Sequence, residues 1–273
     1  MTFLLWTFGP AILLAFGNIL QKIGLATIAH QVHPKRPMQW VRTVVLNVPW
    51  WGGIIVSAVA TIAYFGALAR YNISLVQPLM ALNPVLTALA GWIFLKEHLD
   101  RRTAIAISVV VFGLCMAGFL HGEAHGQENT WHLWIFTAIL GFSIGLVRVF
   151  IHNIEARKSL IAGVGFGLSA VFVKSIEEHF KVHGSVLDSA LLFDPGILTR
   201  GLAFVVTYLV GFIYLQVAMT HGRALLVVPL TSAIGMLVPT LAGLIVFQEP
   251  FGPLKFAAVG LVALGSALFV RLR

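Results

Sequence analysis

The chain has 273 residues, of which 59% are hydrophobic and only 10% charged, where an ordinary soluble domain carries about 25% charged residues. That balance excludes a water-soluble globular protein, and long apolar runs without two-residue alternation exclude a transmembrane β-barrel. The net charge of +8 calls for no nucleic-acid partner, because no stretch combines a basic patch with exposed aromatics.

A membrane-crossing helix needs about 20 mostly apolar residues. Nine such segments are predicted, at about 3–29, 48–69, 73–95, 103–121, 131–152, 159–182, 201–221, 224–248 and 254–271. The first lacks a basic n-region and runs past Gly17 without a clear cleavage site, so it is expected to be a retained helix. It carries Asn18, Gln21 and Lys22; the second opens on Trp50 and Trp51 and holds Tyr64. The third carries Gln77, Asn83 and Thr87 beside Pro78 and Pro84. The fourth holds the single cysteine, Cys115, which cannot form an internal disulfide. The sixth has Ser169, Lys174 and Ser175; the seventh, Tyr208, Tyr214 and Gln216; the eighth, Thr231, Ser232 and Thr240 with Pro229 and Pro239. The expectation is one all-α membrane domain over 1–273, with short loops, no soluble domain and no long tail.

Basic residues in the loops set the orientation. One side holds Lys35, Arg36, Arg42, Lys96, Arg101, Arg102, Arg157, Lys158, Arg223, Arg271 and Arg273; the other holds Arg70, Lys181, Arg200 and Lys255. The richer side is placed in the cytoplasm, with the N-terminus outside and the C-terminus inside. The seven tryptophans fall near predicted helix ends, as an interfacial belt would.

Two stretches echo each other. Leu89-Ala90-Gly91-Trp92-Ile93-Phe94-Leu95-Lys96-Glu97 is matched 152 residues later by Leu241-Ala242-Gly243-Leu244-Ile245-Val246-Phe247-Gln248-Glu249. The same offset places Lys22 on Lys174 and Gly113 on Gly265. Equivalent segments are then the first and sixth, second and seventh, third and eighth, fourth and ninth. Five crossings separate each pair, an odd number, so the copies insert with opposite topology. The expected layout is four plus one plus four: repeat one at 1–122, a linker helix at 130–152, and repeat two at 159–273. Prolines in corresponding segments, Pro78 and Pro84 against Pro229 and Pro239, delete backbone donors. Interrupted helices at matching places of two repeats point to a central site.

The paired segments "YFGALARYNISLVQPLMALNPVLTALAGWIFLKEHL" and "IYLQVAMTHGRALLVVPLTSAIGMLVPTLAGLIVFQEPF" resemble the EamA-type motif of the drug/metabolite transporter superfamily. The nine-helix layout, with "GNILQKIGL", "WWGGIIVSAVATIAYFGALA", "SLVQPLMAL" and "VFVKSIEEHF", looks most like the NIPA group of proposed magnesium transporters. Where that group has an acidic residue in the second helix, this chain has Thr61, and its lysine-rich "KKKGL" is here Gln21-Lys22-Ile23-Gly24-Leu25. The resemblance implies a secondary transporter working by alternating access, and not an enzyme.

Ionisable groups within a membrane are costly and default to functional roles. None of the ten acids lies near the middle of a predicted helix, and the deepest charges are Lys174, Lys22 and Arg148. A cavity lysine suits an anionic or amphiphilic metabolite, and Lys174, far from both interfaces, is the candidate; Lys22 and Arg148 can reach the cytoplasmic headgroups by snorkelling, which is the preferred reading of both. The expected substrate-binding residues are Asn18, Gln21, Lys22, Tyr64, Gln77, Asn83, Ser169, Lys174, Tyr214, Gln216, Thr231 and Ser232. No cofactor and no metal ligand set is expected. The His121, Glu123, His125 and His132 group fits no rigid site, Gly163, Gly165 and Gly167 are read as close helix packing, and the Asn72 sequon carries no weight. Expected partners are a small-molecule substrate, membrane lipid and a second copy through Gly113, Gly118, Gly260 and Gly265. The alternatives are a NIPA-like divalent-cation transporter and a lipid-interacting membrane protein without transport. The expected location is the bacterial inner (plasma) membrane.

Overall fold

The computed structural model describes residues 2–29, 37–68, 80, 82–119, 128–183, 194–250 and 252–271. Among these there is no strand, and ten helices follow one another. They are α1 (Thr2–Ala29), α2 (Pro37–Val45), α3 (Val48–Leu68), α4 (Asn83–Phe94), α5 (Arg101–Phe119), α6 (Thr130–Phe150), α7 (Ile154–His183), α8 (Pro195–His221), α9 (Ala224–Ile245) and α10 (Pro253–Arg271).

Six are long and apolar enough to cross a membrane, or seven if α2 and α3, bent by 65° at Leu46 and Asn47, count as one span. Nine crossings were expected. The third expected segment is described as a helix only from Asn83, so α4 has 12 residues. The fourth, α5, opens on two arginines. Exposed apolar side chains wrap the bundle, including Val48, Ile62, Phe142, Phe150 and Trp131 at 71–80% exposure. In water such a surface would drive aggregation; here it marks a multi-pass membrane protein whose apolar side chains face lipid. Helix α2 was not foreseen, although Trp40 and Val44 recur on one face at four-residue spacing.

Helix α9 is the spine. Its side chains enter all three apolar clusters: with α4, α5 and α10 through Leu225, Leu226 and Leu230; with α1, α3 and α8 through Val227; and with α6 and α7 through Val238 and Ala242. It runs unbroken through Pro229 and Pro239. Each proline withdraws the N–H that the carbonyl four residues earlier would have received, while the packing around α9 keeps the axis continuous. Pro84 sits in the first turn of α4, where its missing N–H breaks no intrahelical bond.

Helices equivalent under the 152-residue offset make equivalent pairs: α1 packs on α3 as α7 packs on α8, and α5 meets α10 along their lengths. At the α5–α10 crossing, a Cβ on Gly113 would stand 2.7 Å from Val262, and a Cβ on Gly265 would stand 2.6 Å from Val110. Val110 and Val262 are themselves offset by 152, so each valine fills the other helix's glycine notch. Two of the glycines expected at a contact between copies therefore serve this crossing within the chain, while Gly260 faces open space. Gly163 and Gly167 receive Ile234 and Val238 of α9, and Gly165 meets the backbone of Gly211 on α8, close packing as their spacing suggested.

Candidate functional site

The corner where α8 passes into α9 is held by charges from the N-terminal helices. A helix end leaves carbonyls unpaired, and the next helix start leaves N–H groups unpaired. The first carries partial negative charge and the second partial positive charge. Helix α8 stops at Gly222, and Arg223 at the start of α9 makes no side-chain cap. Lys22 of α1 supplies the cation: its Nζ donates to the Met219 carbonyl at 2.5 Å and to the Gly222 carbonyl. Glu97, just past α4, supplies the anion: its carboxylate accepts from the N–H groups of Ala224 at 2.8 Å and Leu225 at 2.9 Å. Glu155 accepts from the Arg223 N–H at 3.1 Å, with its other oxygen 3.9 Å from the Arg223 guanidinium. Glu97 and Glu155 lie within electrostatic reach of Lys22.

Beside this corner lies a buried polar chain. Trp50 donates from its indole N–H to Gln216 Oε1 at 2.8 Å, Gln216 donates to Gln21 Oε1 at 3.0 Å, and Gln21 donates to Ser57 Oγ at 3.1 Å. Gln21 and Gln216 are 5% and 2% exposed, so each amide must find its partners inside the protein. Trp50, expected in an interfacial belt, is instead buried here, because its indole N–H has this acceptor. Further along α1, Asn18 donates to Thr87 at 3.3 Å, and Asn83 donates to the Ala11 carbonyl at 3.2 Å.

The opposite end is built from the equivalent residues but connected differently. Lys96 and Gln248, an offset pair, both adopt left-handed backbone, with φ of 53° and 52°. That turn returns the Glu97 N–H to the Gly91 carbonyl at 3.2 Å and the Glu249 N–H to the Gly243 carbonyl at 2.8 Å. Each carboxylate then folds over its glycine, where a Cβ would meet it at 3.1 Å for Gly91 and 2.7 Å for Gly243. Only glycine leaves that space. From this shared geometry Glu97 reaches across to α9, whereas Glu249 pairs with Lys174 of its own set of helices. The Lys174 ammonium also sits 4.4 Å above the Phe247 ring, a favourable cation–π position.

The remaining expected residues are spread out. Tyr214 stands apart from Gln216, with Arg148 donating to its hydroxyl and Lys158 over its ring. Ser169 bonds locally to the Phe166 carbonyl, and Thr231 reaches the Ser159 carbonyl at 3.3 Å. Tyr64 and Ser232 are half-buried. Gln77, Pro78, the Asn72 sequon, and His121, Glu123 and His125 lie outside the described residues. Among the described residues no three His, Cys, Asp or Glu side chains gather to hold a metal ion.

Reading the sequence missed Glu97, Glu249, Trp50 and Ser57 as site members. It also missed Arg200, 6% exposed, which pairs with Glu128 at 2.8 Å and donates to Ser175 at 2.7 Å. For the two glutamates a signal existed: Lys174 and Glu249 are 75 residues apart, and Lys22 and Glu97 stand at the same spacing.

Comparison with known proteins agrees with the resemblance. The EamA-like transporter family is matched over residues 1–119. The chain is 26% identical over 175 residues to the "Uncharacterized transporter YojE" of Bacillus subtilis (strain 168), an alignment covering 64% of this chain and 54% of that protein. It is 37% identical over 84 residues to a "Probable magnesium transporter" of Candida albicans, covering 31% of this chain and 23% of that protein. The aligned region thus spans about half of the first relative and under a quarter of the second. No solved structure matches the chain.

Proposed function

We propose that this chain, whose residues 1–119 match the EamA-like transporter family, is a secondary transporter that moves a small metabolite across the membrane. In this reading α1, α3, α4 and α5 form one four-helix repeat and α7 to α10 form its inverted copy. Helix α6 is the linker, and the two repeats rock about a site between them. The N-terminus is outside, which makes the Lys22 end cytoplasmic.

The observation that carries the reading is the unequal use of equivalent residues. At one end Lys22 and Glu97 cross between the repeats and hold the α8–α9 corner. At the other, Lys174 and Glu249 satisfy each other within one repeat. Among the described residues, polar links across one end and a pair held within one repeat at the other are what a transporter closed on the first side would have. The alternate state is the exchange: Lys22 and Glu97 release the α8–α9 corner, and Lys174 and Glu249 release each other. In a two-state element built from two related halves, the states can differ by only a few kcal/mol.

Substrate would contact the polar residues between the repeats, with Asn18, Gln21, Asn83 and Gln216 best placed, and Lys22 and Lys174 exposed in turn as their partners exchange. A lysine released from its partner attracts an anionic group, so a small anionic or amphiphilic metabolite is the favoured class. A divalent cation is the second reading, favoured by the likeness to the Candida protein. Without a gathered carboxylate set among the described residues, Mg²⁺ would pass with much of its water shell, which it sheds reluctantly.

The test is purified protein in proteoliposomes, with a trapped Mg²⁺ indicator in one arm and exchange of labelled organic anions in the other. Saturable anion exchange that is lost in Lys174→Ala supports the first reading. Saturable Mg²⁺ entry that Lys174→Ala leaves intact replaces it with the second. Folded protein that moves neither class overturns both.

A further inference from the structure

Away from the site between the repeats, two cations meet at one tyrosine. Arg148 lies in the last turn of α6, Lys158 in the second turn of α7, and Tyr214 on α8. The Arg148 guanidinium donates to the Tyr214 hydroxyl, and its carbon lies 5.8 Å from the ring centroid. The Lys158 ammonium stands 4.8 Å from the same centroid. Three helices thus bring two full positive charges to one neutral ring.

Neither cation has an acidic partner among the described residues. Glu155, one turn before Lys158, is turned to the N–H and guanidinium of Arg223. The negative end of α6 offsets part of the Arg148 charge, but Lys158 adds to the positive start of α7. Cation–π contact with one ring does not cancel the repulsion between two like charges. The cluster is short of one anion.

The flanking surface says which kind. In α6 only Leu133 and Phe136 are buried, both near its start; toward Arg148 its side chains Phe142 and Leu146 are exposed. On α8, Leu209 and Ile213, in the turns before Tyr214, are exposed as well. Exposed apolar side chains therefore stand on both helices in the turns between the charged cluster and the middle of the bilayer. A free anion would use only the cations, whereas an anionic lipid would use both features.

We propose that Arg148, Lys158 and Tyr214 bind the phosphate headgroup of an anionic phospholipid whose acyl chains lie along the exposed faces of α6 and α8. The site needs the chain to be membrane-embedded but does not depend on what, if anything, it transports. Basic residues at a membrane surface each contribute about 1 kcal/mol toward anionic lipid, so two of them give a preference of roughly tenfold or more.

Native mass spectrometry of the protein extracted from mixed phosphatidylglycerol and phosphatidylcholine nanodiscs reads this directly. Wild type is expected to retain at least one phosphatidylglycerol selectively, and Arg148→Gln/Lys158→Gln to lose that selectivity. Tyr214→Phe, which keeps the ring and removes only the hydroxyl, is expected to keep part of it. Arg101→Gln/Arg102→Gln neutralises two other exposed cations and is expected to change nothing. Melting in pure phosphatidylcholine checks that each variant is folded. Equal loss in both double variants would reduce the effect to general surface charge and overturn the proposal. Absence of selectivity in wild type would overturn it too, as would displacement of the retained lipid by millimolar inorganic phosphate, which would identify a phosphate site instead.

Discussion

Lys22 and Lys174 occupy equivalent places 152 residues apart, yet Lys22 holds the carbonyl end of α8 across the interface while Lys174 holds Glu249 beside it. Their acidic counterparts divide in the same way. Glu97 caps α9 across the interface, and Glu249 turns back to its own lysine. Two copies of one device are thus in two different settings within one molecule, and each setting makes a separable claim about energetics.

Removing one member of the Lys174–Glu249 pair leaves the other charge without a partner, and Glu249 is only 14% exposed. Lys174→Ala is therefore expected to destabilise more than Lys174→Ala/Glu249→Ala, with a coupling of about 1–3 kcal/mol. Thermal unfolding of the four proteins in one detergent gives the cycle. Additive effects would show that the pair is not formed in solution.

Arg200 and Glu128 are more enclosed still, at 7% and 9% side-chain exposure. Arg200→Ala orphans Glu128 and Ser175 and is expected to cost about 3–5 kcal/mol, the range for breaking one side of a buried pair. Arg200→Ala/Glu128→Ala should recover part of that. A loss in melting temperature no larger than that of an exposed-site control such as Arg102→Ala would contradict the assignment.

The α5–α10 crossing offers a test without charges. Gly113→Ala and Gly265→Ala each place a methyl within 3.0 Å of the opposing helix, and overpacking of that kind costs about 1–3 kcal/mol. Gly260→Ala, which meets nothing within 4 Å, should be neutral. Equal behaviour of all three in a melting series would refute the reciprocal fit.

Outside the membrane-spanning helices, the Thr103 hydroxyl donates to Asp100 at the start of α5 and holds its carboxyl below the ordinary carboxylate range. A lowered folded value means that the charged form stabilises above the unfolded value of about 4 and that this contribution fades as pH falls through the folded value. The stability advantage of wild type over Asp100→Asn should be present at neutral pH and disappear toward the acid end of a pH–melting series. An advantage that grows on acidification would reverse the sign and contradict it.

Much of this was legible in the residues. The apolar segments foretold six of the long helices, and the offset set Glu97 against Glu249 and Gly113 against Gly265, which the structure places in matching local geometry. Partners were not legible. The 152-residue offset relates Lys22 to Lys174, but two equivalent side chains with different neighbours look identical in sequence. Trp50 resembled its belt-forming neighbour Trp51 because nothing local announces an acceptor on Gln216, 166 residues away. The prolines of α9 pointed to an interruption, yet tertiary packing on three sides held the helix together. Arg200, near a predicted loop, gave no sign of burial because its partners Glu128 and Ser175 come from separate elements.

The most direct test of the exchange is a pulsed EPR distance measurement, in a Cys115→Ser background, on two spin-label pairs. Arg102→Cys/His221→Cys spans the Lys22 end, and Ile62→Cys/Leu198→Cys spans the opposite end. Glu97→Gln removes the charge that caps α9, worth about 1.5–3 kcal/mol as charged hydrogen bonds, enough to shift a two-state population roughly tenfold or more. The expected result is a longer distance for the first pair and a shorter one for the second in Glu97→Gln, relative to protein carrying Glu97. Unchanged distances at both ends, in a variant that binds lipid and melts cooperatively, would contradict the exchange of partners on which the transport reading rests.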